Sequence, residues 1–199
     1  MHIPEVKRAI ILQERGTILS LLSVQEGRIE KCVNQRSATS RFLYRGSILT
    51  YQNSRHFFAG REIIENVELE LCSTQLASKN IYLLHQVLEL CHFFIPLGSQ
   101  ACTTFYFLLE LFENYYRCTH SPFYVKRVLC KLFVLLGIYP EEVEIQFFAH
   151  KIYEMPIDNL LAAPLELKSE ELMNKWLAWC IEMHPKGKFF KAMPLLLKK

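Results

Sequence analysis

The hydrophobic pattern along this chain changes period once. Up to residue 72, apolar residues come in short runs separated by polar turns. From residue 73 onward they recur every three or four positions, the spacing of one helix face. The first part predicts strands over Val6–Leu12, Thr17–Val24, Ile29–Val33 and Arg45–Gln52. A fifth is built from Phe57-Phe58 and Glu62–Cys72, the latter carrying Ile64, Val67, Leu69 and Leu71. Glu14-Arg15-Gly16 and Gln25–Arg28 are turns, and the polar stretch 34–40 is a loop. Short strands with turns at this spacing predict a small closed barrel.

The second part predicts helices over Ser73–Phe94, Gln100–Arg117, Ser121–Gly137, Glu141–Glu154 and Ser169–Met183. Met155–Leu167, with two prolines, reads as a loop, and the segment after Met183 as a basic tail. The third helix has both ends marked. Ser121 is suited to accept a free N–H as N-cap and Pro122 to fill the first helical position. Gly137 is suited to the left-handed closing turn, with Pro140 beyond it. Val125, Val128, Leu129, Leu132, Phe133, Leu135 and Leu136 share one face, which predicts the centre of a helical core. Phe123, Arg127, Cys130, Lys131 and Val134 form the opposite, mixed face. Ser169 reads as the N-cap of the last helix. The fold class is therefore α+β: an all-β, five-stranded OB-fold barrel over residues 1–72, then an all-α helical bundle over 73–199.

Composition changes this picture in two places. Apolar residues make up 51% of the 199, enough for a sizeable core. The net charge of +3 is unevenly placed. Residues 1–61 hold ten Lys/Arg against four Glu, residues 62–185 eight against sixteen acidic groups, and residues 186–199 five Lys and no acid. The basic first third points to a polyanionic partner. The seven Cys lie mostly in apolar periodic segments, as small buried hydrophobes in a reducing compartment do. M-H-I-P-E-V-K-R lacks the pattern of a signal peptide, and no charge-free apolar run has membrane-spanning length. A cytoplasmic protein without a membrane partner is expected.

Candidate chemistry is sparse. There is no C-x-x-C pair; Cys91-His92 and Cys118-x-His120 are the nearest approach to a metal set, and Cys91 and His92 point apart on a helix. No metal ligands are assigned. The chain has no G-x-S-x-G elbow, P-loop or G-x-G-x-x-G, so no catalytic residue and no cofactor is expected. Glu141, Glu142 and Glu144 read as a solvated helix start. The stronger signal is Arg28, Lys31, Arg36, Arg41 and Arg45, with Arg55 and Arg61 beyond them, interleaved with Phe42, Tyr44, Tyr51, Phe57 and Phe58. Basic groups track phosphates while aromatics stack on bases, which is how such barrels hold single strands. Core aromatics with ordinary surface arginines would give the same pattern.

The order of elements resembles the RecO family of bacterial recombination mediators. V-K-R-A-I-I-L followed by T-I-L-S-L-L-S-V-Q-E-G-R-I-E-K-C-V is similar to that family's first three strands with an E-x-G-K/R-I turn. Ser40-Arg41 stands where the family has a basic loop, ahead of G-S-I-L-T-Y, and V-L-C-K-L-F-V-L-L-G-I-Y-P resembles its leucine-rich helix. The likeness covers roughly residues 6–150. It implies a non-enzymatic protein for DNA repair and recombination. Such a protein binds single- and double-stranded DNA, anneals strands, binds the C-terminal tail of SSB and acts with RecR to load a recombinase. DNA contacts are then expected at Arg28, Lys31, Arg36, Arg41 and Arg45. The acidic SSB tail is expected at Phe123, Arg127, Lys131 and Val134. Two departures stand out: 141–164 contains none of the four zinc-binding Cys of many relatives, and the basic loop is reduced to N-Q-R-S-A-T-S-R. A helical protein–protein adaptor whose degenerate barrel ignores nucleic acid is the alternative.

Overall fold

The structure, a computed structural model, describes residues 5–33, 43–72, 74–114, 122–162 and 167–190. Five strands form a closed barrel: β1 (Lys7–Arg15), β2 (Ile18–Ser23), β3 (Gly27–Val33), β4 (Ile48–Phe58) and β5 (Arg61–Leu71). Their order, β1-β2-β3-β5-β4, is that of an OB-fold. All neighbours are antiparallel except β3 and β5, joined in parallel through Cys32↔Ile63 and Val33↔Ile64. Alternation places Ala9, Ile11, Leu19, Leu21, Val33, Leu49, Tyr51 and Ile64 in the barrel core, each buried. Such a side chain contributes roughly 1.5–3 kcal/mol when fully buried, which is why the strand register follows this set.

Two strand boundaries differ from the sequence reading. Phe57-Phe58 end β4 rather than begin β5, because the turn falls on Ala59-Gly60, both at positive φ (51° and 74°). Two consecutive positive φ values give the hairpin turn that matches strand twist. Asn53–His56 are also strand, irregularly paired.

The helices are α1 (Thr74–Phe94), α2 (Cys102–Glu113), α3 (Pro122–Leu135), α4 (Val143–Glu154), α5 (Ile157–Ala162) and α6 (Leu167–Met183), followed by a 3-10 turn at Gly187–Phe189. Three of them correct the sequence reading. α1 is not one helix: Asn80 is non-helical (φ −154°, ψ 83°), and its Oδ1 accepts the Leu83 N–H at 3.0 Å, so it caps a restart. α5 lies inside the stretch read as a loop, because Pro156 offers its carbonyl to Asn159 and Leu160 and so starts a turn. Ser169 is inside α6, which begins at Leu167. The predicted end of α3 holds: the Ile138 N–H reaches the Phe133 carbonyl at 2.8 Å and the Gly137 N–H that of Val134 at 2.9 Å, with Gly137 at φ 71°. Ser121, its predicted N-cap, lies outside the described residues.

The chain divides into two compact units. The barrel unit runs through Gln75 and also takes in Leu88–Tyr106, beyond the boundary read at 72/73. The helical unit is formed by Leu76–Val87 and the chain from Phe107 onward. In it α3 packs against α4, α5 and α6 and is the buried centre the stripe predicts: Val128, Leu129, Leu132 and Phe133 have no exposed surface. Among the described residues, no helix is long and apolar enough to cross a membrane.

Candidate nucleic-acid interface

In an OB-fold, the outer face of strands 2 and 3 and the loops β1–β2 and β4–β5 receive the ligand. Here much of that strand face is covered by the chain's own 88–106 segment. The Ser20 hydroxyl is hydrogen-bonded to His92 Nδ1 at 3.1 Å. Arg28 donates from Nη1 to the Ile95 carbonyl at 2.6 Å. The backbones also join: the Arg28 N–H reaches the Ser99 carbonyl at 3.1 Å and the Gly98 N–H that of Arg28 at 2.7 Å. Gly27, at φ 71°, lets this segment approach; a Cβ there would stand 2.1 Å from the Ser99 oxygen.

The remaining expected DNA contacts fare unequally. Lys31 is buried at one end of the barrel interior, where Glu26 accepts from it at 3.2 Å and Glu62 also accepts. Glu26 is the hub of that end: Lys7 pairs with it at 3.3 Å, and Tyr51 donates its hydroxyl at 2.7 Å. Burial pushes the Glu26 carboxyl up, but the Tyr51 hydrogen bond and the charges of Lys31 and Lys7 outweigh it and hold the group below its ordinary range. Burial pushes the Tyr51 phenol up. Arg45 is exposed in the turn before β4. Arg36 and Arg41 lie outside the described residues. Arg28 and Lys31 line the same groove, but Arg45 is not part of it. Elsewhere Arg8 pairs with Glu70 at 2.5 Å, and Arg61 sets Nε and Nη2 on one oxygen of Glu30, at 3.0 and 2.8 Å. Of the ten Lys and Arg in residues 1–61, Lys7, Arg8, Lys31 and Arg61 are thus paired with Glu26, Glu30, Glu62 and Glu70. The charge count missed this pairing.

What remains open is the β4–β5 hairpin. Pairing jumps from Asn53↔Ile64 to Phe57↔Glu62, so β4 advances four residues while β5 advances two. This bulge breaks the in–out alternation, and Ser54 Oγ accepts the His56 N–H at 3.1 Å within it. As a result Arg55, His56, Phe57 and Phe58 are all exposed, with Phe57 and Phe58 at 66% and 58%. Phe57 lines an open groove of about 570 Å³ together with Ile29, Leu97 and the charged Glu26, Arg28, Glu30, Lys31, Arg61 and Glu62. Arg55 has no charged partner among the described residues. The consecutive aromatics before an Ala-Gly turn were the signal available in the sequence.

The expected SSB-tail face of α3 is turned inward, and this corrects the reading of an open basic notch. Arg127, 8% exposed, donates to the Leu160 carbonyl in the last turn of α5 at 2.9 Å. Lys131 donates to the Met155 and Tyr153 carbonyls at the end of α4. Both cations satisfy helix C-terminal carbonyls and complement their dipoles. Burial pulls both groups below their ordinary pKa, with Glu110 opposing this at Lys131. Phe123 is half-buried beneath Lys126, and Val134 is half-buried as well. Burial raises the Cys91, Cys130 and Cys180 thiols, the last to about 12, which leaves them poor nucleophiles. Among the described residues, no three His, Cys, Asp or Glu side chains stand together as a metal-ligand set. No family model matches the chain, and no curated protein matches it.

Proposed function

We propose that this chain is a non-enzymatic mediator of DNA repair and recombination of the RecO kind, and that it holds single strands on the β4–β5 hairpin. The observation that carries the reading is the exposed Phe57-Phe58 pair next to Arg55 on the hairpin, with Phe57 also lining an open groove. Aromatic faces take unstacked bases of any sequence, which a duplex does not offer. The OB strand order followed by a helical unit supports it, since that is the element order the resemblance implies. RecR and the acidic SSB tail are its protein partners by the same resemblance. The tail needs a site other than Arg127 and Lys131, whose charges are held on helix ends.

With Lys7, Arg8, Lys31 and Arg61 paired with carboxylates, stacking on the hairpin aromatics carries much of the affinity. Each phosphate contact, that of Arg55 among them, adds about −0.7 to the log–log salt slope on single strands. The test is fluorescence anisotropy with labelled oligo(dT) across a salt series. Phe57→Ala is expected to weaken binding about 5- to 150-fold, from roughly 1–3 kcal/mol per stacked base. No binding at low salt, or equal affinity in Phe57→Ala, overturns the proposal. The adaptor reading is favoured by one observation, the acid-paired barrel cations, and a pure protein that ignores oligo(dT) while binding peptide would establish it.

A further inference from the structure

The helical unit presents a second feature that the DNA reading does not use. Val143 and Phe147, one turn apart on α4, are 80% and 76% exposed. A helix that faces only water carries polar groups at such positions. Instead they form the lip of a groove of about 780 Å³ between α4 and α6, floored by Phe148 and Leu172. The floor is fixed: Phe148 packs edge-on against the fully buried Trp176, with ring centroids 6.4 Å apart. Trp176 is in turn held by donating its indole N–H to the Ile138 carbonyl at 3.2 Å. Phe147 and Val143 are therefore exposed on a rigid wall.

The rim has a sign. Lys175 is neutralised by Glu142 at 2.6 Å. Glu144 and Glu171 line the groove without a cationic partner among the described residues, and Glu141 stands just outside it. Among the described residues, Lys151 is the one lining cation left to oppose them. An acidic segment laid on Phe147 would meet Glu144 and Glu171, and like-charge juxtaposition of that kind costs affinity and excludes partners.

We infer that the α4–α6 groove is a docking site for a partner-protein segment that is amphipathic and basic, with large apolar side chains one turn apart and Lys or Arg flanking them. Helix-in-groove recognition works by such i, i+4 anchors, and the flanking charges set specificity. The inference does not rest on nucleic-acid binding by the barrel. It also concerns a partner of opposite charge to the SSB tail.

The experiment uses the whole protein and two labelled model peptides, amphipathic helices of Leu and Lys and of Leu and Glu with identical Leu positions. The Leu/Lys peptide is expected to bind at least tenfold more tightly. Phe147→Ser, at a position too exposed to matter for folding, is expected to reduce that binding tenfold or more with the circular dichroism spectrum unchanged. Glu144→Lys with Glu171→Lys is expected to reverse the peptide preference. Three results overturn the inference: equal binding of both peptides, Leu/Lys binding that survives Phe147→Ser, or no binding of either peptide. Oligo(dT) affinity is expected to be the same in Phe147→Ser, which changes no charge, so failure here is separate from failure of the DNA reading.

Discussion

Lys31 in the barrel unit is held differently from Arg127 and Lys131 in the helical unit, whose Lys126 is paired with a carboxylate in the manner of the barrel, at 2.9 Å from Glu170. In the barrel, Lys31 sits among carboxylates: Glu26 and Glu62 accept from it, and Lys7 and Tyr51 share Glu26. In the helical unit, Arg127 donates to the Leu160 carbonyl in the last turn of α5, and Lys131 to the Tyr153 and Met155 carbonyls that end α4. One arrangement is a network with several partners for each charge. The other gives each helix end a single cation. Redundancy therefore differs, and so should the response to deletion. The difference also teaches that a stretch rich in Lys and Arg is not by itself a positive surface.

The largest effect is expected at Arg127. Arg127→Ala removes a buried side chain and leaves the Leu160 carbonyl without its donor, which is expected to cost about 2–4 kcal/mol. Urea unfolding measures it; a loss below about 1 kcal/mol would mean that α5 finds another cap. Lys31→Ala is expected to cost less, about 1–3 kcal/mol, because Glu26 keeps Lys7 and Tyr51. If Lys31→Ala proves the costlier of the two, redundancy does not separate the units.

Acid sharpens the same comparison. The folded protein holds Glu26 below its ordinary value of 4.5. A carboxyl lowered on folding binds fewer protons than in the unfolded chain, so its stabilisation is complete above about pH 4.5 and is lost as pH falls through the folded value. The urea midpoint is expected to drop on acidification below that point. In Lys31→Ala the drop should be shallower, since one of the charges that lowers Glu26 is gone.

How much of this was legible in the sequence depends on the range of the interaction. The barrel was readable from short apolar runs between turns, and the end of α3 from Gly137, because both are encoded within a few residues. The kink at Asn80 and the turn beginning at Pro156 are local too, but an amphipathic period hid the first and a proline-rich composition the second. The site was less legible. Lys31 and Glu62 are 31 residues apart, Arg8 and Glu70 62 residues apart, and nothing in either neighbourhood announces the pairing. Counting charge by segment, with a break after residue 61, separated Glu62 and Glu70 from the cations they pair with. Arg127 and Lys131 were correctly placed on one strip of α3, but which helices end against that strip is set only by tertiary packing.

The smallest stability effects are expected on the hairpin, and there they carry the most functional information. Arg61 is 36% exposed, and its pairing with Glu30 is worth about 0–1 kcal/mol, as partly exposed ion pairs are. Phe57 is 66% exposed, so Phe57→Ser should change stability by no more than about 0.5 kcal/mol in either direction. A core aromatic would cost several kcal/mol on the same change, so this measurement asks whether the ring belongs to the fold or to a partner. Paired with oligo(dT) affinity, it separates the outcomes cleanly. Unchanged stability with weakened binding places the ring on the nucleic acid. Unchanged stability with unchanged binding removes the hairpin from the interface. Lost stability returns Phe57 to the core, and with it the observation on which the single-strand reading stands.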